Sequence, residues 1–275
     1  MAALELDALG RIEVLDEVGS TNDELMARAR AGAPHGAALR ARSQSSGKGR
    51  RAHLWSSPAG GLYMSVLVVP EVPDRLLPGL PVACGLGVVQ TLYHLGCKSA
   101  RLKWPNDIVV DEGKLGGILV EVSRSSGRTV AVCGFGINFR TPHVEHPTDG
   151  SLPVVGLMRC LPSGAMLPEI DELAELLREG VLLSVEEWTD RALAAGSNAV
   201  PLTGIIDNYH QFLAYIEEPV DVFSPEGSDY DIRESGVLRG VDGWGRARVE
   251  TEPGKIEYFD ASQVSIRPHK GDESR

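Results

Sequence analysis

An α+β protein ending in a small β-barrel is the fold that this sequence predicts, and three observations carry the expectation. Strand-like and helix-like runs are interspersed through residues 12–139, and helical runs dominate residues 168–215. Short strands separated by turn chemistry then fill the chain after residue 217. The boundary is expected near Glu217–Glu218, with a larger domain over 1–217 and a smaller one over 218–275. A chain of 275 residues has room for both and for a substantial buried core.

Residues 12–18 alternate apolar and polar side chains, as a strand does. Ser20-Thr21-Asn22-Asp23-Glu24 opens a helix, with Ser20 or Thr21 as N-cap and an acidic residue three positions on; Gly32-Ala33-Pro34 ends it. Residues 37–42 and 62–69 read as strands, and a loop rich in Gly and cations lies between them. Residues 80–95 read as a buried helix despite their glycines. A strand at 101–103 leads into Trp104-Pro105, an extended entry because a residue before Pro avoids the helical region. Residues 107–110 and 115–122 form a hairpin through Asp111-Glu112-Gly113, and 129–139 is a further strand. Residues 140–163, rich in Pro, His, Thr, Gly and Ser, read as a long loop of the kind that covers ligands. Helices are expected at 168–185, 185–195 and 205–215. Strands at 219–223, 236–241, 246–250 and 256–259 follow, with turns at Pro225-Glu226-Gly227, Asp242-Gly243 and Pro253-Gly254.

A formal net charge of −11 argues against general binding to nucleic acid or membrane, which needs clustered Lys and Arg. Inside this acidic chain, Arg40, Arg42, Lys48, Arg50, Arg51 and His53 form a basic island suited to a small anionic ligand. Cys84, Cys97, Cys133 and Cys160 show no metal or disulfide spacing and read as reduced, buried residues. No signal peptide is apparent, and the apolar window 76–89, interrupted by Pro78 and Pro81, is too short to span a bilayer. A cytoplasmic location is the expectation.

Two segments hold the chemistry. In the loop from Gln44 to Trp55, Gly47 and Gly49 let backbone amides approach an oxyanion, while Lys48, Arg50 and Arg51 add charge. A solvated surface loop has the same composition. The hairpin from Lys103 to Glu121 narrows the choice: Lys114 precedes Gly116 and Gly117 in an apolar strand, where glycines favour close ligand approach. Asn106 and Asp107 either cap the turn or coordinate Mg²⁺. Gly134-Phe135-Gly136-Ile137-Asn138 opens no helix and so lacks a dinucleotide-binding context. The histidines, including His143 and His146, form no catalytic or metal pattern. No nucleophile elbow, zinc-protease or P-loop motif is present either.

Together these residues resemble the biotin–protein ligases, in particular the form without an N-terminal DNA-binding domain. The resemblance rests on Ser20-Thr21-Asn22, the loop from Gln44 to Trp55, the run from Lys103 through Lys114 to Glu121, and Gly134 to Asn138. It implies a mixed, largely antiparallel sheet flanked by helices, related to class II aminoacyl-tRNA synthetases, and a C-terminal SH3-like barrel. It also implies two-step chemistry: biotin and MgATP give biotinyl-5′-AMP, and a lysine of a biotin carboxyl carrier domain then takes the biotinyl group. By the same resemblance Lys114, Arg50, Asp107 and Lys103 are catalytic. Ser20, Thr21, Asn22, Gln44, Gly47, Lys48, Gly49, Arg50, Lys114, Gly116 and Gly117 bind biotin. Arg50, Arg51, Trp55, Lys103, Asn106, Lys114 and Asn138 bind ATP, and Asp107 contacts either Mg²⁺ or the acceptor amine. No tightly bound cofactor is implied, and both monomer and homodimer are compatible. The chain departs from the family pattern at Lys48 and His53, where Arg is usual, and at Ala52, where Gly is usual, so a weaker hold on the nucleotide is expected. A lipoate or octanoate ligase or transferase on the same fold, and a non-catalytic biotin sensor, are the alternatives.

Overall fold

The computed structural model describes residues 9–125, 127–141, 152–162, 164, 168–224 and 232–269. Its centre is a seven-stranded mixed sheet. In chain order the strands are β1 (Glu13–Val18), β2 (Ala38–Gln44), β3 (Leu62–Val68), β4 (Ala100–Lys103), β5 (Asp107–Val110), β6 (Gly113–Ser125) and β7 (Arg128–Ile137). They lie in the order β1-β2-β3-β7-β6-β5-β4. Only β1 and β2 run parallel; the other neighbours are antiparallel.

Strand alternation gives this sheet two unlike faces. In β7, Ala131, Cys133, Phe135 and Ile137 join Leu62, Met64 and Val66 in the main core, under helices α2 (Leu80–His94) and α3 (Ile170–Ala194). On the opposite face Leu39, Leu67, Val130 and Val132 pack against Leu25, Met26 and Ala29 of the shorter helix α1 (Thr21–Arg30). Ten residues of α1 cover only part of that face, and the rest of it is the floor of the candidate site.

The second unit is a five-stranded antiparallel sheet of β8 (Pro219–Phe223), β9 (Ile232–Val241), β10 (Ala247–Glu252), β11 (Lys255–Phe259) and β12 (Ser265–Pro268), ordered β11-β10-β9-β8-β12. Val220, Leu238, Val249 and Ile266 belong to the same buried cluster as the main core.

Most expected elements form within a residue or two of their expected ends, and three differences have physical causes. The helices expected at 168–185 and 185–195 are one 25-residue helix, α3, since neither Pro nor Gly interrupts the chain around Val185. The helix expected at 205–215 is only α4 (Ile206–Phe212). Leu213 turns extended and bridges to Leu102, while the Ala214 amide donates to the Leu102 carbonyl at 2.9 Å. Trp104 and Pro105 are joined by a cis peptide bond and begin a tight turn over residues 104–106. Strand β12 has no expected counterpart, because four residues beside Pro268 show no pattern until they pair with β8.

The glycines of α2 have a packing role: a Cβ on Gly87 would stand 2.4 Å from the Gly180 carbonyl oxygen, so the two helices cross in close contact. By length and composition the helical stretch Asp74–His94 could cross a membrane, yet most of its apolar window is buried here as a core helix. All four cysteines are free; Cys84, Cys97 and Cys133 are buried and Cys160 partly so. The turn expected at Pro225-Glu226-Gly227, and residues 142–151 of the long loop with His143 and His146, lie outside the described residues.

Candidate active site

A cavity of about 740 Å³ opens over the part of the sheet that α1 leaves uncovered. Gly117, Leu119, Gly134 and Gly136 form its floor, the start of α1 one end, and Lys103, Asp107 and Lys114 the other. The basic loop and Phe223, Ser224, Ser265 and Arg267 of the second sheet complete the walls.

A β-bulge sets the lysine end. Asp107 pairs with Gly117 and Ile108 with Gly116, but Val109 pairs with Lys114, leaving Leu115 as the extra residue. The bulge reverses the alternation, so Lys114 and Gly117 face the cavity together with Asp107, while Leu115 is fully buried in the core. The Asp107 carboxylate accepts from Lys103 Nζ at 2.8 Å on one oxygen and meets Lys114 Nζ at 2.7 Å on the other. Burial alone would raise the Asp107 carboxyl, but the two ammonium groups outweigh it and hold the group well below the usual carboxylate range. Asn106 laces the turn to β6: its Nδ2 donates to the Ile118 carbonyl at 3.1 Å and its own carbonyl accepts the Ile118 amide at 2.9 Å. A strap of backbone pins Lys114 from outside, with its amide donating to the Pro153 carbonyl at 2.7 Å and its carbonyl accepting from Val155 at 3.1 Å.

The other end is a polar network. Ser20 occupies the N-cap position of α1, but its hydroxyl makes no capping bond. Gln44 caps instead, with its Oε1 accepting the Thr21 amide at 2.8 Å. Gln44 Nε2 donates to Ser57 Oγ at 2.8 Å, which holds the carboxamide in that orientation. Asn22 reaches across the sheet to Glu121 and the Leu119 carbonyl, and Ser65 rises from β3 between Asn22 and Thr21.

Between the ends, the Trp55 indole lies on the glycine floor. Its Cζ3 is 3.6 Å from where a Gly117 Cβ would stand, and Lys114 Nζ is 5.2 Å from the ring centroid. The indole Nε1 is buried without a hydrogen-bond partner. A Cβ on Gly134 would fall 1.9 Å from Asn22 Oδ1, so no side chain fits there while Asn22 keeps its place. Gly134→Ala is accordingly expected to expel the Asn22 amide and weaken ligand binding at this end by about tenfold or more, an overpacking cost of roughly 1–3 kcal/mol. Calorimetric titration with biotin, the ligand that the family resemblance implies, checks this, and unchanged affinity would show that the Asn22 position is immaterial.

The basic loop is tied to the connection between β11 and β12 of the second unit. Arg50 and Arg51 both donate to the Ala261 carbonyl, and Arg51 also to that of Val264 at 3.1 Å. Burial, with the like charge of Arg51 beside it, pushes the Arg50 guanidinium below its ordinary value. The left-handed backbone in this loop falls at Arg51, with φ 53°. Lys48 pairs with Asp23 and lies 3.6 Å from Glu121.

Most residues expected at the site thus line one cavity: Ser20, Thr21, Asn22, Gln44, Lys48, Gly49, Arg50, Arg51, Trp55, Lys103, Asn106, Asp107, Lys114 and Gly117. Gly47, Gly116 and Asn138 stand behind its walls. Gly47 accepts the Trp55 amide at 2.8 Å, and Gly116 is crowded by the Gly136 carbonyl. Asn138 is buried and donates through Nδ2 to the Lys114 carbonyl at 3.3 Å. Sequence reasoning overlooked Ser65, although a lone hydroxyl within the apolar run of β3 was a usable signal. Phe223, Ser224, Ser265 and Arg267 had none, since only tertiary packing brings them here. Among the described residues no cluster of three or more His, Cys, Asp or Glu could cage a metal ion.

Comparison with known proteins agrees with this geometry. Residues 19–138 match the model of the biotin/lipoate A/B protein ligase family. The biotin–[acetyl-CoA-carboxylase] ligase of Mycobacterium tuberculosis is 31% identical over 266 residues, covering 94% of this chain and 90% of that one. The bifunctional ligase/repressor BirA of Escherichia coli is 29% identical over 260 residues, covering 94% of this chain and 74% of BirA. The structure of the biotin protein ligase from Aquifex aeolicus in complex with biotin and ATP superposes with a TM-score of 0.71 at 25% identity, covering 94% of this chain and 99% of that one. With a relative this similar along almost the whole of both sequences, and with the lysine-and-glycine cavity in place, the chain belongs to the biotin–protein ligase family.

Proposed function

We infer that this chain is an ATP-dependent ligase that activates biotin as biotinyl-5′-AMP and transfers it to a protein lysine. In the first step a biotin carboxylate oxygen bonds to the α-phosphorus of ATP and pyrophosphate leaves. In the second, the acceptor amine attacks the acyl carbon, the amide forms, and AMP leaves with the bonding pair. The observation that carries this reading is one cavity with an ammonium pair at one end, a hydrogen-bonding network at the other and a glycine floor between. A neutral ureido bicycle suits the network, and its valeryl chain suits the floor.

The obstacle in step one is repulsion between a carboxylate and a polyanion. Lys114 faces the cavity with its ammonium already fixed, so it can stabilise the developing charge without reorganisation. Lys103 is nearly buried, and its charge supports the same region through Asp107. In this reading Asp107 orients the two lysines rather than caging a metal, and Mg²⁺ enters as MgATP, held by phosphate oxygens. Arg50 and Arg51 use few of their donors on the β11–β12 connection, and the remainder are available to phosphate. Asn138 acts by bracing Lys114. The division near Glu217–Glu218 is supported by left-handed backbone at Tyr215 and Glu217, φ 61° and 64°, just before β8. A biotin carboxyl carrier domain is the acceptor we propose. Dependence on ATP, together with four free cysteines, supports a cytoplasmic setting.

Incubation of an apo carrier domain with this protein, biotin and MgATP is expected to add one biotinyl group, read by intact mass. ATP–pyrophosphate exchange is expected with biotin and not with lipoate. Exchange that follows lipoate would move the chain to the lipoate branch, and no exchange with either would leave a sensor.

A further inference from the structure

The polar end of the cavity has a definite proton order. Both Asn22 Nδ2 hydrogens point at groups that only accept, the Glu121 carboxylate at 2.8 Å and the Leu119 carbonyl at 3.2 Å. That settles which way the amide faces. Its Oδ1 therefore lies toward Ser65 Oγ, 2.7 Å away, and Ser65 must donate its one proton there. Ser65 Oγ is also 2.9 Å from Thr21 Oγ1, so a bond across that contact needs the proton of Thr21. The other partner of the Thr21 hydroxyl is Gln44 Oε1 at 3.1 Å, again an acceptor. Whichever of the two takes it, the Thr21 proton stays inside the network. Toward the cavity Thr21 can offer only a lone pair.

We propose that Ser65 and Glu121, together with Gln44, are positioning residues that fix the Thr21 side chain and keep its hydroxyl a hydrogen-bond acceptor toward the cavity. This end of the cavity then selects head groups carrying an N–H donor, such as a cyclic urea, over sulfur-ring or hydrocarbon heads of similar size. The inference rests on the biotin reading of the cavity and gives it a physical basis for rejecting lipoate. An acceptor buried against a head without N–H goes unsatisfied, and sites built in this way reject the wrong ligand strongly. Ser65 is fully buried in the middle of β3, where a hydroxyl is costly unless bonded. Glu121 is kept in place by Lys48 at 3.6 Å.

The test combines calorimetric biotin binding with steady-state kinetics on the full chain. Ser65→Ala is expected to weaken biotin binding and raise the biotin KM by about tenfold to a hundredfold, the range for an orphaned buried partner. kcat at saturating biotin and the KM for ATP should stay within about twofold. Glu121→Met, at the half-exposed rim, should act in the same direction, and it keeps the test available if Ser65→Ala does not fold. In a Thr21→Val background, Ser65→Ala should add little, because it acts through Thr21. Additive losses, equal rises in both KM values, or biotin affinity unchanged in both single variants would overturn the proposal. A wild-type chain that binds no biotin overturns the ligase reading and this inference with it, whereas tight wild-type binding with indifferent variants overturns this inference alone.

Discussion

Replacing Lys114 with Met is expected to slow biotinyl-adenylate formation by about 100- to 1000-fold, the usual cost of removing one preorganised charge from a reacting centre. Three observations make the effect large. The ammonium faces the cavity through the bulge, its backbone amide and carbonyl are both bonded to the 153–155 strap, and Asp107 holds its position at 2.7 Å. Met keeps most of the aliphatic length, so the variant isolates the charge. The side chain is 31% exposed, so folding should be little affected. Single-turnover release of pyrophosphate measures the step directly, while transfer from preformed biotinyl-AMP should fall far less. A loss under about tenfold in pyrophosphate release would remove Lys114 from the reacting centre.

Asp107→Asn acts on stability instead. It leaves Lys103 and Lys114 facing one another without a counter-charge, with Lys103 only 10% exposed. Breaking a buried pair from one side typically costs about 3–5 kcal/mol, which for a chain of this size lowers Tm by roughly 10 °C. The pH dependence follows from the direction of the shift. The Asp107 carboxyl is lowered in the fold, so its contribution is fully present above the unfolded carboxyl value near about 3.9 and is lost only as pH falls through the lower folded value. The Tm gap between wild type and Asp107→Asn should therefore be constant from about pH 5 to 8 and close only in strong acid. A gap that closes already near neutrality would assign the stabilisation to another group.

Local patterns revealed much of this molecule. The Lys103–Glu121 hairpin, the start of α1 and the glycine-rich end of β7 were evident because turn residues, caps and alternation act over a few positions. The direction in which some of these residues face was hidden. Gly116 and Gly117 look equivalent in sequence, yet only Gly117 lines the cavity, and Asn138 stands behind its wall with its Nδ2 on the Lys114 carbonyl. Arg50 and Arg51 were expected to face phosphate; their ties to Ala261 depend on how two distant segments pack. The same holds for Ser265 and Arg267, separated from the basic loop by some two hundred positions.

The single extra residue at Leu115 carries a consequence for how this segment can change. Lys114 and Gly117 are three apart, an odd spacing that a regular strand would send to opposite faces. A regular β5–β6 ladder through all the natural residues would set Leu115 opposite Val109 and turn the Lys114 ammonium toward the core beneath α2. Loss of one residue from this stretch would instead make the spacing even and leave the ammonium on the cavity side. The segment therefore tolerates a shortening better than a slip of register, because parity and not length decides which face the ammonium takes.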